Sequence, residues 1–250
     1  MDNKNFYESS PYNSSAQGSG YMNGVSDVME EARVLFQQKV ITHSFLYMFF
    51  ALIISAISAK VASLSLLLWI IERPANYIIL FAAEFATVIA GNFALKKNNA
   101  VLSAILLSVY AAVNGATIGI ICMFYTDASV ALVFVVTALT FCGMAFVGLF
   151  TKKDLSSLGG LFMMGLIGLI VASIVNLFVH SDLLTFGISV IGVLIFVGLT
   201  AYDTQKIKQR CVYANANNVT CYALGGALQL YLDFINLFLY LLKLTGKRRR

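Results

Sequence analysis

The fold class that this sequence predicts is an all-α integral membrane protein, a bundle of seven transmembrane helices. Two observations predict it. The chain of 250 residues is 59% hydrophobic and only 12% charged, and its mean hydropathy is +0.82. A soluble domain of this size has too little interior to hide so much apolar surface. Second, several apolar runs approach or exceed the roughly 20 residues a helix needs to cross a bilayer. The alternating ten-residue segments of a transmembrane barrel are missing. The net charge of +5 is no nucleic-acid signal, because the Lys and Arg residues sit mainly at helix ends, where they orient spans.

Residues 1–24 are rich in Ser, Asn, Gly and Tyr and are expected to form a disordered polar tail. In residues 25–39, Val25, Val28, Met29, Ala32, Leu35 and Phe36 recur at helical spacing, and Asp27 with Glu30 forms a capping pair. This predicts a short amphipathic helix at the membrane surface. Residues 40–250 form the membrane domain. Hydropathy places its spans at Ile41–Ala59, Tyr77–Leu95, Val101–Tyr125, Val130–Phe150, Leu158–Val179, Leu183–Tyr202 and Tyr222–Leu242. Short charged turns separate them, so sequence neighbours are antiparallel. No cleavable signal peptide is expected, and the first span directs insertion.

Arg33 and Lys39, Lys96 and Lys97, Lys152 and Lys153, and Lys206, Lys208 and Arg210 all fall on one side of a seven-span chain. The excess of basic residues makes that side, and the N-terminus, cytosolic. The terminal Lys247–Arg250 cluster then lies outside, against the rule: either the seventh segment re-enters, or the earlier loops set the topology against the tail, the second being expected because the segment is long enough to span. Small residues at Gly115 and Gly119, and at Gly159, Gly160, Gly165 and Gly168, predict close helix packing. Cys211 and Cys221 lack zinc or CxxC spacing and read as free thiols.

Three carboxylates bear on function. Glu84 lies inside NYIILFAAEFATVIAGNFAL, Asp233 inside ALQLYLDFINLFLYLLKL, and Asp203 ends FGISVIGVLIFVGLTAYD. An ionisable group at bilayer depth costs about 2.5 kcal/mol or more unless paired or wetted, so such groups tend to mark ion paths, relays or gates. Residues three, four and seven apart share a helix face. Polar stripes follow: Gln229, Asp233, Asn236 and Tyr240; Glu84, Thr87 and Gly91; Tyr110, Asn114 and Thr117; Ser173, Asn176 and His180. Lipid cannot satisfy these groups, so the stripes should face one another. For Asn114, Asn176 and the hydroxyls, packing by interhelical hydrogen bonds is the expected role. Asp203 is expected near the inner end of its run and Asp233 roughly 16 Å into its own. They meet only if span seven begins later or span six dips inward. Carboxyls that share a proton titrate as a coupled pair. Such a pair makes a pH switch: protonated, it holds two helices together; ionised, it repels them and admits a cation.

The segments GVLIFVGLTAYDTQKIK and ALQLYLDFINLFLYLLKLTGKRR, with TKKDLSSLG after span four, resemble the signatures of the Bax inhibitor-1 family, and its bacterial, YccA-like branch best. The resemblance covers Val34 to Arg250. It implies six helices around a central seventh, and a pH-sensitive calcium leak or the suppression of cell death in eukaryotes. One bacterial member is known for restraining a membrane protease. The resemblance places the family's pH-sensing aspartates on Asp203 and Asp233 and its span-two acid on Glu84. Its basic latch at the end of span two falls near Lys96 and Lys97. Lysine lacks the bidentate fork of arginine.

The function expected from these residues is a passive cation leak, with Ca²⁺ as the transported ion and Asp203–Asp233 as sensor and gate. Glu84 and Asn236 line the path as oxygen ligands of a weak, transient site. No high-affinity metal and no cofactor are expected. The alternative is a non-transporting regulator that binds a membrane protease or another membrane protein in stress or cell death. An enzyme is not expected. Intramembrane aspartyl proteases also carry two membrane aspartates, but YLDF stands where they need GxGD and no PAL is present. Walker, HExxH and GxSxG motifs are missing too. The expected partners are the lipid bilayer and other membrane proteins, without nucleic acid, and the expected location is the bacterial inner membrane.

Overall fold

Long apolar stretches without proline give this chain long unbroken helices. The computed structural model describes residues 14–73, 75–211, 215 and 217–249. Eight helices are present among them: α1 Ser14–Val61, α2 Ser63–Glu72, α3 Ala75–Lys96, α4 Ala100–Met123, α5 Asp127–Phe150, α6 Ser156–Val179, α7 Asp182–Arg210 and α8 Val219–Thr245. Seven are long and apolar enough to cross a membrane, α2 being the exception. The protein is an all-α, multi-pass membrane bundle.

Three boundaries differ from the sequence expectation. The segment 25–39 is continuous with span one: α1 starts at Ser14 and runs without a break to Val61. Once the first turns exist, extending a helix adds one hydrogen bond per residue fixed, so no nucleation cost stops it at Lys39. The helix also includes residues 14–24, where composition predicts disorder; residues 1–13 lie outside the described residues. Second, the turn between spans one and two contains α2, SLSLLLWIIE. At about 15 Å it is too short to cross, and it packs on α3 and α4. Asn76 Nδ2 closes its turn by donating to the Trp69 carbonyl at 2.7 Å. Third, α7 continues about two turns beyond Tyr202, to Arg210.

The core is the last helix. α8 contacts α1, α3, α4, α5 and α7, and Leu230, Tyr231, Leu237 and Leu242 along it are fully buried. Its Phe234 meets two α5 rings edge-on, Phe141 at 5.4 Å and Phe134 at 5.5 Å between centroids. α6 is the outlier. It packs chiefly on α7 and reaches α8 through a Ser173–Tyr240 hydrogen bond.

Glycine permits close approach at two crossings. A Cβ on Gly115 would collide with the backbone of Ser55, and one on Gly148 with the backbone of Ala201. These are the α1–α4 and α5–α7 contacts. In α6, Gly159 and Gly165 face Tyr202 and Ile195 of α7, while Gly160 and Gly168 have open space.

Hydrogen bonds fix which turns share a side. Asn98 Nδ2 donates to the Asn217 carbonyl at 3.1 Å, Gln205 Nε2 to Lys153 O at 2.8 Å, Lys208 Nζ to Leu149 O at 2.8 Å, and Gln37 Nε2 to Lys208 O at 2.9 Å. The α3–α4, α5–α6 and α7–α8 connections therefore lie together, beside the early part of α1. Asp154 forms an Asx-turn just before α6 there, accepting from the Ser156 amide at 2.9 Å. The Ser156 hydrogen bonds hold its carboxyl below the usual range. Burial pushes the Cys211 thiol up to about 11, so it is protonated and inert at neutral pH. The chain after α8 lies at the opposite end. Thr126 N donates to Lys247 O and Arg249 N to Phe124 O, both at 2.9 Å, and Arg249 pairs with Asp127 at 2.6 Å.

Substituting Gly148 by Leu should lower stability by about 1–3 kcal/mol, the usual cost of overpacking. Gly160→Leu, with open space around it, should change stability little. Thermal unfolding of both variants in detergent checks this; equal losses would mean that the α5–α7 approach is not tight.

Candidate functional site: paired carboxyls on the central helix

The acidic residues of the membrane region sit against two different faces of α8. Positions 231 and 233 are two apart, which is about 200° around a helix. Tyr231 and Asp233 therefore point in nearly opposite directions.

On the Asp233 face stands α7. Asp203 and Asp233 are 5% and 4% exposed, and their carboxyls are in hydrogen-bonding contact. Gln229, one turn before Asp233, hydrogen-bonds Asp203 as well. Asp203 lies inside α7, which continues to Arg210, rather than at its end. Asp233 Oδ2 is fully buried with no hydrogen-bond partner.

Lys206 and Arg210, on α7 itself, are the cations near enough to act on Asp203. Neither entered the sequence reading as a partner, although their spacing from Asp203, three and seven residues, puts them on its face. Lys96 and Lys97 are placed differently. Lys96 Nζ lies 5.9 Å over the Phe93 ring. Among the described residues neither lysine forms a salt bridge with an aspartate. Lys96 and Arg210 instead both line a cavity of about 780 Å³ between α3, α7 and α8. Gln229 and Asn92 also line it, so the cavity leads from the side of the basic loops to the group that bonds Asp203.

On the Tyr231 face lies a second network. Thr117 Oγ1 donates to Glu84 Oε1 at 2.7 Å, and Asn114 also hydrogen-bonds Glu84. The Tyr231 hydroxyl donates to Asn114 Oδ1 at 3.1 Å and lies 2.7 Å from Ser55 Oγ. Ser55 in turn donates to the Ala111 carbonyl at 2.8 Å. Four helices, α1, α3, α4 and α8, are joined through one fully buried phenol. The stripe Tyr110, Asn114 and Thr117 is all engaged here, with Tyr110 edge-on to Tyr231 at 5.8 Å. Sequence reasoning missed Tyr231. The available signal was a tyrosine inside an apolar run, whose hydroxyl must find a partner when buried.

Of the remaining stripe residues, Asn236 and Thr87 bond within their own helices, whereas Asn176 joins two. Asn236 Nδ2 donates to Leu232 O at 2.8 Å and Thr87 Oγ1 to Ala83 O at 2.7 Å, each within its own helix. Asn176 Nδ2 donates to Thr185 Oγ1 at 2.7 Å and its Oδ1 accepts from Ser181 N at 3.1 Å, tying α6 to α7. Glu84 is not brought into contact with the aspartate pair. Among the described residues no three His, Cys, Asp or Glu side chains group as a metal site.

A multi-pass helical bundle, with a carboxyl on its most buried helix in contact with a second carboxyl on α7, is the class of protein defined so far. The comparison with known sequences narrows it. The model of the family described as inhibitor of apoptosis-promoting Bax1 matches residues 37–250, and the chain belongs to this Bax inhibitor-1 family. It is 44% identical over 173 residues to inner membrane protein YbhL of Escherichia coli (strain K12), covering 68% of this chain and 74% of that one. It is 38% identical over 224 residues to an uncharacterized protein of Borreliella burgdorferi, covering 88% of this chain and 97% of the relative. An uncharacterized membrane protein of Streptococcus pyogenes serotype M3, SpyM3_0260, is 39% identical over 178 residues, 71% of this chain and 77% of its own.

Tyr231→Phe removes one hydroxyl and strands Asn114 Oδ1. It should cost about 1 kcal/mol, in the range measured for interhelical hydrogen bonds in membranes. A double-mutant cycle with Asn114→Leu, read by unfolding in detergent, should show coupling; strict additivity would dissolve the network.

Proposed function

We propose that this protein is a pH-sensitive passive cation leak, with Ca²⁺ as the ion that passes and the Asp203–Asp233 pair as sensor and gate. The observation that carries this reading is the direct contact of two buried carboxyls from α7 and α8. Two like charges at about 4 Å repel by about 4 kcal/mol at an effective dielectric of about 20. In contact and away from water, both cannot be charged, so the pair holds one proton between them.

With that proton, the pair is a hydrogen bond that fastens α7 to α8. Loss of the proton turns the bond into a repulsion of several kcal/mol, enough to shift a two-state packing. The sign follows: conduction is low at acid pH and rises as the pair ionises. Lys206 and Arg210 on α7 moderate the repulsion from the Asp203 side. The cavity lined by Gln229, Lys96 and Arg210 is the inner approach to the gate. Asn236, three residues after Asp233 on α8, supplies a further oxygen of the path, of the type hard cations prefer, while Glu84, on the opposite face of α8, stays with the bracing network of Thr117 and Asn114. So few charges make a weak site, which suits conduction better than storage. The excess of basic residues in the loops beside it supports a cytosolic side for this inner cavity and for the N-terminus.

A second reading, a regulator that docks on another membrane protein such as a protease, is favoured by α6. Its span is 6% buried, and Gly160 and Gly168 lie open on it, the surface that a partner helix packs against most closely.

Ca²⁺ flux into proteoliposomes from about pH 5 to about pH 8, roughly the range of coupled carboxyls, tests the first reading. The wild type should conduct more as pH rises. Asp203→Asn and Asp233→Asn, each unable to form the charged pair, should lose the pH dependence. No flux above empty liposomes from folded protein at any pH would discard the leak and leave the docking reading, to be followed by membrane-protein pull-down with and without Gly160→Leu.

A further inference from the structure

A second cavity lies at the opposite end from the gate's inner approach. It has a volume of about 400 Å³ and opens between α1, α4, α5 and α8. Its wall is apolar, with Leu52, Ile118, Phe134, Phe234 and Phe238, and Ser55 contributes at depth. The Ser55 hydroxyl is already committed to Tyr231 and the Ala111 carbonyl, so the floor offers a ligand no free polar group. Along α1 the slot runs from Leu52 to Lys60, about 12 Å at helical rise.

The rim is different in kind. Lys60, Asp127 and Arg249 stand there. Asp127 is answered by Arg249 at 2.6 Å. Lys60 forms no salt bridge among the described residues. The chain after α8 is pinned beside this rim rather than left trailing. Tyr125 and Arg248 form an antiparallel bridge, and Lys247 N donates to Ser129 Oγ at 2.9 Å. Lys247 and Arg248 therefore add positive charge next to Lys60 and Arg249. A cationic rim above an apolar slot matches a ligand with one anionic head and a hydrocarbon chain. The surrounding surface decides its source. Ile57, Val61 and Leu132, at 60%, 74% and 65% exposure, present apolar groups outward close to the slot. They border on bilayer, so the slot opens where lipids already stand.

We propose that this cavity is a binding site for an anionic phospholipid. One acyl chain fills the slot beside Phe134 and Phe238, and the phosphate sits at Lys60 and Arg249. The site also accounts for the basic residues at the end of the chain on the side that the loop charges disfavour: there they meet a headgroup and Asp127. Such a site exists whether or not the bundle conducts.

Native mass spectrometry of the full chain, in micelles holding equal amounts of phosphatidylglycerol and phosphatidylcholine, tests it. The wild type should retain phosphatidylglycerol preferentially. Lys60→Gln, an exposed change with no bearing on folding, should lower that preference roughly fivefold, the contribution of one cation near an anionic surface. Ala56→Phe, which fills the slot, should release both lipids. Lys152→Gln, an exposed cation at the other end, should leave the preference unchanged. Equal retention of the two lipids by wild type, or the same loss from Lys152→Gln as from Lys60→Gln, would overturn the site. Full displacement of phosphatidylglycerol by palmitate would overturn the phospholipid and assign the slot to a free fatty acid.

Discussion

Inside a bilayer every polar group on α8 must be satisfied by another helix, and the rest of the bundle is arranged around that demand. α8 carries Asp233 on one face and Tyr231 nearly opposite. Lipid offers neither a partner, and each unsatisfied group costs several kcal/mol there. α7 answers Asp233 with Asp203, and α1 and α4 answer Tyr231 with Ser55 and Asn114. A helix with two such faces cannot sit at the edge of the bundle. The burial of Leu230, Leu237 and Leu242 along the same helix then follows from its central place.

The two polar faces differ in chemistry. The Tyr231 face is neutral apart from Glu84, its hydroxyls and amide are chained, and it braces four helices. The Asp233 face is poised: one carboxyl meets another, and Asp233 Oδ2 has no partner. α8 is thus held by different means on its two sides, by a chained network against α1 and α4 and by a carboxyl pair against α7.

The ends of the bundle are also unlike each other. Where the basic loops gather, side chains reach across to backbone carbonyls: Gln205 to Lys153, Lys208 to Leu149, Gln37 to Lys208. These bonds lock α5, α7 and α1 around the approach to the aspartates. At the other end the lock is made by backbone, with the segment after α8 laid against the α4–α5 turn. The Arg249–Asp127 pair there eases the conflict between the terminal basic cluster and the charge of the loops. One of the cations is neutralised locally, and the segment is fixed in place by hydrogen bonds that no charge rule considers.

The sequence by itself determined the class of fold, the spans and the identity of the carboxylates. Hydropathy over twenty residues is a local property, and a charge inside such a run is visible without any partner. It also determined which residues share a face, because helical periodicity is fixed; Tyr110, Asn114 and Thr117 do act together. What only the tertiary structure decided is which faces meet. Glu84 and Asp233 read from the sequence as parts of one path, yet they lie against opposite sides of α8, because rotation of a helix about its axis is set by packing. Helix ends were equally out of reach: nothing in TQKIKQR announces that α7 continues through it, since most of its residues are polar and the bonds that hold them come from Lys153, Leu149 and Gln37 far along the chain. The same holds for Lys247 and Arg249, whose backbone is held by the Thr126 amide and the Phe124 carbonyl of the α4–α5 turn, contacts that no local pattern displays.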